Sequence, residues 1–364
     1  MSRINGASMF ACAGIGETYF DKAGIDVVVA NELLENRAKF YMENHPNSNM
    51  IIGDITNDET KSSFINDMKE KDVRFLVATP PCQGFSNLGK NRNLDEKLVD
   101  PRNFLIFHVL EVIDETDVDY VMIENVATFL TMMFPYNGEL HTIEEILKDK
   151  YSDRYNVEIK KLNAKFYGVP QSRTRAITIM YKKGLQWDWP EPQKEITLRE
   201  IIWDLPSLES GEDSGIKYHK AKVHNPREIH CMKHTPTGKS AMKNEIHYPK
   251  KEDGTRIKGF DSTYKRMDWD SPASVITMNN GNIGSHGNVH PGRLKEDGTY
   301  SDARVLTILE LLRVSTLPDD WNIPEWATEA LVRKVIGEAV PPMLGYNIVK
   351  GIAETQDVQE RDFR

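Results

Sequence analysis

Cysteine is scarce in this chain: Cys12, Cys82 and Cys231 are the only three in 364 residues. They are too few and too scattered for a disulfide framework or a zinc site, so no metal centre is expected and any cysteine chemistry should be that of a single thiol. Long apolar runs are missing too. None approaches the roughly 20 residues that cross a bilayer, and the start MSRINGAS has neither the basic nor the apolar stretch of a leader. A cytoplasmic protein with no membrane attachment is expected. Positive charge is in deficit, with 46 Lys and Arg against 55 Asp and Glu and a formal net charge of -9. That balance argues weakly against nucleic acid, but a footprint need only be basic locally. Between Lys217 and Arg266 there are 13 Lys and Arg against 5 Asp and Glu, with five histidines, while the remainder of the chain is clearly acidic.

Short apolar runs punctuate the chain up to about residue 180: SMFACA, DVVVANE, RFLVATPP, YVMIENV and RAITIMY. Bounded by Gly, Pro and Asn and separated by helix-length segments, they predict an α/β domain with a doubly wound, mostly parallel sheet covered on both faces. Ligands in this architecture sit at the carboxyl ends of the strands. Past residue 183 the texture changes to a loop-rich stretch of Lys, His, Pro, Gly and Asn, and helical periodicity resumes at RVLTILELLRV and ATEALVRKVIGEAV. Three parts are expected: a catalytic domain over 1–183, a smaller loop-rich domain over 184–302, and a segment over 303–364 that packs back on the first domain.

The candidate residues follow the strands. Phe10 to Glu17 is a small-residue turn that would let backbone approach a ligand closely, with the unpaired N–H groups of a helix start behind it. Glu32, 16 residues past Gly16, and Asp54 close the next two strands, where acidic side chains can accept hydrogen bonds from a ribose. That succession suggests an adenosyl-type cofactor. Pro80 and Pro81 stop the fourth run and present Cys82 on a constrained loop. Glu124 and Asn125 close YVMIENV, and Gln171, Arg173 and Arg175 open RAITIMY. A thiol, a carboxyl and guanidiniums at one sheet edge suit covalent attack on a polar ring.

These residues, in this order and spacing, resemble the cytosine-5 DNA methyltransferase family of bacterial or phage, restriction-modification type. Pro-Pro-Cys-Gln at 80–83, Glu-Asn-Val at 124–126 and Gln-Ser-Arg-Thr-Arg at 171–175 match its motifs, with Asp-Pro-Arg-Asn-Phe-Leu at 100–105 between the first two. RVLTILELLRVSTLPDDW and GEAVPP resemble its last two, so the likeness covers nearly the whole chain. It implies a Rossmann-like S-adenosylmethionine-dependent methyltransferase fold with a target-recognition domain, releasing S-adenosylhomocysteine. Cys82 would attack carbon 6 of a flipped-out cytosine in duplex DNA, Glu124 would engage ring nitrogen 3, Arg175 the exocyclic oxygen, and Arg173 would add positive potential and positioning.

The resemblance further implies cofactor contacts from Phe10, Ala13, Gly14, Ile15, Gly16, Glu32, Leu33, Asp54, Ile55, Thr79, Leu105, Ala339 and Val340. Substrate contacts would come from Gln83, Ser86, Asn125, Gln171 and Thr277, with Lys250 and Lys251 on phosphates. A monomer is expected, with a cognate restriction endonuclease as functional partner. The chain departs from the family pattern at Cys12, where a phenylalanine is usual, and at Glu338, where an asparagine is usual. Its rivals are a tRNA cytosine-5 methyltransferase on the same scaffold, a catalytically silent DNA-binding relative, and a Rossmann dehydrogenase, for which the Cys-Glu-Arg set has no use.

Overall fold

A computed structural model describes residues 3–81 and 104–362, with side chains to residue 352. Two compact units divide the chain. The first comprises 1–163, 174–191 and 345–364, and the second 164–173 and 192–344. This partition differs from the expected 1–183, 184–302 and 303–364. Residues 303–344 group with the loop-rich unit, and only the stretch from Gly345 onward groups with the sheet.

The first unit is built on a seven-stranded sheet in the order β3-β2-β1-β4-β5-β9-β8. Its strands are β1 (Ile4–Met9), β2 (Ile25–Glu32), β3 (Asn49–Ile52), β4 (Phe75–Ala78), β5 (Tyr120–Val126), β8 (Tyr155–Asn163) and β9 (Thr174–Lys182). β6 (Met133–Tyr136) and β7 (Glu139–Thr142) form a separate two-stranded ladder. β1 to β5 run parallel, whereas β9 is antiparallel to both β5 and β8. The expected mostly parallel sheet is therefore present, with an antiparallel edge. Strand order reverses between β1 and β4, which makes the crevice beyond their carboxyl ends the place where such sheets hold ligands.

Burial explains the strands that could be read from sequence. Every residue of β4 is buried, and six of the seven in β5, so both strands are covered on both faces and open on apolar runs, β5 closing on the polar pair Glu124 and Asn125. Alternate side chains separate the two faces. Leu76, Ala78, Val121 and Ile123 pack with α2 (Asp58–Glu70), α3 (Leu105–Thr116) and α4 (Ile143–Tyr151) through Phe64, Met68, Val109, Ile113 and Ile146. Phe75 and Tyr120 instead meet Trp187, with ring centroids 6.0 and 5.8 Å away. The indole N–H of Trp187 donates to the Ile348 carbonyl at 2.8 Å. That bond ties the last helix, which spans Pro342–Asp362, to the sheet unit. β8 escapes the sequence pattern because it is an edge strand. Most of its residues are half-buried, and Lys160 and Lys161 are exposed.

The second unit is loop-rich. Among its described residues the ordered pieces are short helices and isolated bridges, packed around an apolar cluster of Cys231, Met232, Tyr264, Ile283, Val289 and Val305.

Candidate active site

In the first unit the turn after β1 carries three left-handed residues, Phe10, Cys12 and Gly14, with φ of 61°, 50° and 70°. Only glycine takes such a conformation freely, and at Gly14 space forbids anything larger: a Cβ would lie 2.3 Å from the His45 ring and 2.8 Å from Tyr41. His45 Nε2 sits 2.9 Å from the Gly14 carbonyl. Beneath the turn, Ser8 and Tyr41 both donate hydrogen bonds to the fully buried carboxyl of Glu17, the Tyr41 bond being 2.8 Å long. Burial raises the pKa of Glu17 despite His45, Ser8 and Tyr41, and raises that of Tyr41 further. None of Ser8, Glu17, Tyr41 or His45 was expected to matter. Their one sequence signal is a glutamate directly after a small-residue turn.

Glu32 ends β2 with both carboxylate oxygens aimed at backbone N–H groups, Cys12 at 2.9 Å and Leu34 at 2.9 Å. The next residue, Leu33, is 57% exposed, an apolar side chain directly after a buried acid. Asp54 is exposed and caps Thr56 at 2.9 Å, while Ile55 behind it is buried. Asn31 donates to the Ile51 and Gly53 carbonyls at 3.0 and 3.1 Å and fixes the approach to Asp54. An acid for hydroxyl groups, a flat apolar surface for a purine and a glycine turn fit the chemistry of an adenosyl cofactor. Phe10 is half-buried and packs on the core beside the sheet, as does Leu105 at the start of α3. Ala13 and Ile15 are buried, and Gly16 is half-buried.

The sheet also positions the acid and one arginine. Val126 pairs with Arg175 across β5 and β9, so Glu124, two residues back, lies on the same face and diagonal to Arg175. Arg175 Nε donates to Glu124 Oε1 at 2.8 Å, with the two side chains only 14% and 10% exposed. Arg175 Nη1 donates to the Thr174 carbonyl at 2.8 Å. A guanidinium has five N–H groups, so donors remain for a ligand. Asn125 faces the other way, and its amide donates to the Pro80 carbonyl at 3.0 Å. Thr79 Oγ1 donates to the Phe10 carbonyl at 3.1 Å. Asn125 and Thr79, expected to contact substrate and cofactor, also anchor the start of the cysteine loop through these bonds. Cys82, Gln83 and Ser86 lie outside the described residues.

In the second unit Arg173 is buried and donates to backbone carbonyls: Nη1 to Ile276 at 2.9 Å and Gly337 at 3.1 Å, and Nη2 to Glu338 at 2.8 Å. It clamps three chain segments of this unit together. Gln171 is likewise buried, and its Oε1 accepts from the Ile276 N–H at 3.2 Å. Thr277 is half-buried, and its carbonyl accepts from Asn280 at 2.8 Å. Ala339 caps the helix Glu329–Glu338, and Val340 beside it is buried. Lys250 and Lys251 are exposed on the arm of a small hairpin, where Lys250 is bridged to Arg256.

The doubly wound sheet with this antiparallel edge, and the residues gathered at its strand ends, define a Rossmann-like methyltransferase fold. Solved structures share it. A chain described as a DNA modification methyltransferase encoded within an E. coli prophage matches with a TM-score of 0.70 at 21% identity, covering 97% of this chain and 99% of that one. DNMT2 of Spodoptera frugiperda matches with a TM-score of 0.62 at 16% identity, covering 98% and 99%. The chain belongs to the C-5 cytosine-specific DNA methylase family, whose model matches residues 4–354, and its activity is methylation of DNA cytosine at carbon 5. It is 45% identical over 349 residues to the Type II methyltransferase M1.HgaI of Avibacterium volantium, covering 96% of this chain and 98% of that relative. M1.HphI of Haemophilus parahaemolyticus is 29% identical, covering 94% and 85%.

Proposed function

We propose that this chain transfers a methyl group from S-adenosylmethionine to a cytosine flipped out of duplex DNA, with Cys82 as nucleophile. The Glu124–Arg175 pair carries the reading: a carboxyl and a guanidinium fixed 2.8 Å apart on one sheet face match a ring nitrogen adjacent to a carbonyl oxygen. Glu32, Leu33, Asp54 and the turn at Gly14 would hold the cofactor, which supplies an electrophilic methyl on a sulfonium.

Carbon 5 of cytosine is too weak a nucleophile until the ring is activated. The Cys82 thiolate adds to carbon 6, Glu124 delivers a proton to ring nitrogen 3, and Arg175 donates a hydrogen bond to the exocyclic oxygen. The resulting enamine would take the methyl at carbon 5 as the methyl–sulfonium bond breaks, leaving S-adenosylhomocysteine. Loss of the carbon-5 proton to solvent then re-forms the ring double bond as the carbon–sulfur bond breaks to return the thiolate, and the proton on ring nitrogen 3 goes back to Glu124. Flipping the base costs a few kcal/mol, and phosphate contacts from Lys250, Lys251 and the surrounding basic segment would offset that cost.

Relatives named as Type II methyltransferases support a restriction-modification setting with a partner endonuclease. No helix of the described residues is long and apolar enough to cross a membrane, which agrees with a cytoplasmic site of action, and a monomer suffices for a short DNA site. The test is labelled methyl transfer to unmodified plasmid DNA and, in parallel, to bulk tRNA, followed by bisulfite sequencing. Methylcytosine in one recurring DNA context is expected. Label in tRNA alone would overturn the DNA substrate.

A further inference from the structure

The scarcity of cysteine disfavours a cysteine-based metal site, but it says nothing of histidine. In the second unit His230, His234 and His247 come together so that one ring nitrogen from each lies within 4.8 Å of the others. We propose that these three histidines form a binding site for a divalent transition-metal ion, zinc foremost. The proposal is independent of the methyl-transfer chemistry.

The site is built by local structure. Asn225 caps the helix Pro226–Lys233, and Pro226 begins it. His230 lies on this helix and His234 is its C-terminal cap, so spacing by four sets both imidazoles on one face. Asn244 brings in the third. Its amide donates to the His234 carbonyl at 3.1 Å, while its oxygen accepts from the His247 N–H at 2.8 Å. One side chain thus ties the helix end to the segment carrying His247. The imidazoles already interact: His230 Nε2 is 3.2 Å from His247 Nδ1, and the His234 and His247 rings stack with centroids 3.7 Å apart. Rotation of one stacked ring about its Cβ–Cγ bond turns its nitrogen toward a shared ion.

Three neutral nitrogen donors suit zinc, nickel, cobalt or copper and leave a fourth position open. Magnesium and calcium need oxygen ligands, which the triad lacks. A cavity of about 260 Å³ borders His230 and His247 and is also lined by Arg227, Tyr248 and Lys250. Its two cations favour an anionic oxygen or hydroxide as the exogenous ligand. A bound ion would cross-link the helix to the hairpin that carries Lys250 and Lys251.

The test uses the full chain without a polyhistidine tag, stripped with chelator and titrated calorimetrically with zinc chloride, then cobalt chloride, then magnesium chloride. One equivalent of zinc with micromolar or tighter affinity, a cobalt absorption band in the visible, and no magnesium uptake are expected. His230 is exposed, so His230→Ala should fold and weaken zinc at least tenfold, as should His247→Ala. Zinc should also raise the thermal midpoint of the parent chain and not of these variants. Absence of a stoichiometric zinc site in the parent, or unchanged binding in both variants, would overturn the proposal.

Discussion

Arg173 and Arg175 are two positions apart and act differently. Arg175 meets Glu124 at the end of the sheet, where its charge can follow the charge that develops on a cytosine ring. Arg173 is spent on the carbonyls of Ile276, Gly337 and Glu338. Arg175→Met should lower kcat by roughly 10²–10³-fold, with a fall in thermal midpoint, from the unpaired Glu124 carboxyl, that is secondary to the loss of rate. Arg173→Met removes the donors to three carbonyls, and its main effect should be a fall in midpoint. Steady-state kinetics beside thermal melts separate the two. Cys231 also differs from a nucleophile in kind. Burial pushes the Cys231 thiol up to about 12, and the thiol donates to the Glu228 carbonyl. Cys231 should therefore stay unmodified when the native chain is treated with iodoacetamide at pH 7.5, as peptide mass spectrometry would show, and react once the chain is unfolded in urea.

Legibility at the level of elements depended on burial. β4, the first four residues of β5 and most of the central part of β9 are apolar because both faces are covered, so RFLVATPP, YVMIENV and RAITIMY could be read directly. β8 could not, since an edge strand bearing Lys160 and Lys161 has no apolar signature. Helix starts were legible where a cap speaks: Thr307 and Glu310 form a capping box at the head of Ile308–Val314, within RVLTILELLRV. The backbone bonds of Asn125 and Thr79 were not legible, because a motif shows which residues matter and not which carbonyls their polar atoms also meet. Gly337 is a similar case. A Cβ there would lie 2.2 Å from the Thr277 carbonyl oxygen, which is backbone and cannot swing aside. Gly337→Ala should destabilise the second unit by about 1–3 kcal/mol, measured as a lower urea midpoint with unchanged slope.

Over the whole molecule, the expected division failed to anticipate where residues 303–344 belong, and buried charge accounts for this. Arg304 bridges Asp302 and Glu310 at 2.8 Å each, all three fully buried. Arg266, also buried, donates to the Met232, His290 and Asp302 carbonyls. Periodicity shows a helix within 304–314 but not which unit it packs with, and that pairing rests on buried charges with no apolar signature. These buried charges do leave a pH signature. Burial, with Arg304 and Arg266 close by, pushes His290 down to about 4 against Asp302 and Glu310. Below the ordinary histidine pKa near 6.5 the unfolded chain takes up a proton that folded His290 refuses, so stability falls between about pH 6.5 and 4. Glu310 has the opposite charge type with the same outcome. Burial opposes its ionisation, but Arg304 and His290 hold it down to about 2. Its contribution is complete above the unfolded carboxyl pKa near 4.5 and is lost as pH falls toward 2. Urea unfolding between pH 7.5 and 3 should show a midpoint that declines from about pH 6.5, and His290→Gln should flatten the upper part of that decline.

In the proposed mechanism Cys82 attacks a cytosine held by Glu124 and Arg175. Duplex DNA carrying 5-fluorocytosine in place of cytosine tests it most directly, because fluorine cannot leave carbon 5 as a proton does and the carbon–sulfur bond then persists after methyl transfer. Incubation with S-adenosylmethionine should give a denaturant-stable protein–DNA species, and digestion should map the adduct to the peptide containing Cys82. Methylation of ordinary DNA at an undiminished rate by Cys82→Ser, or an adduct on any other residue, would contradict the account.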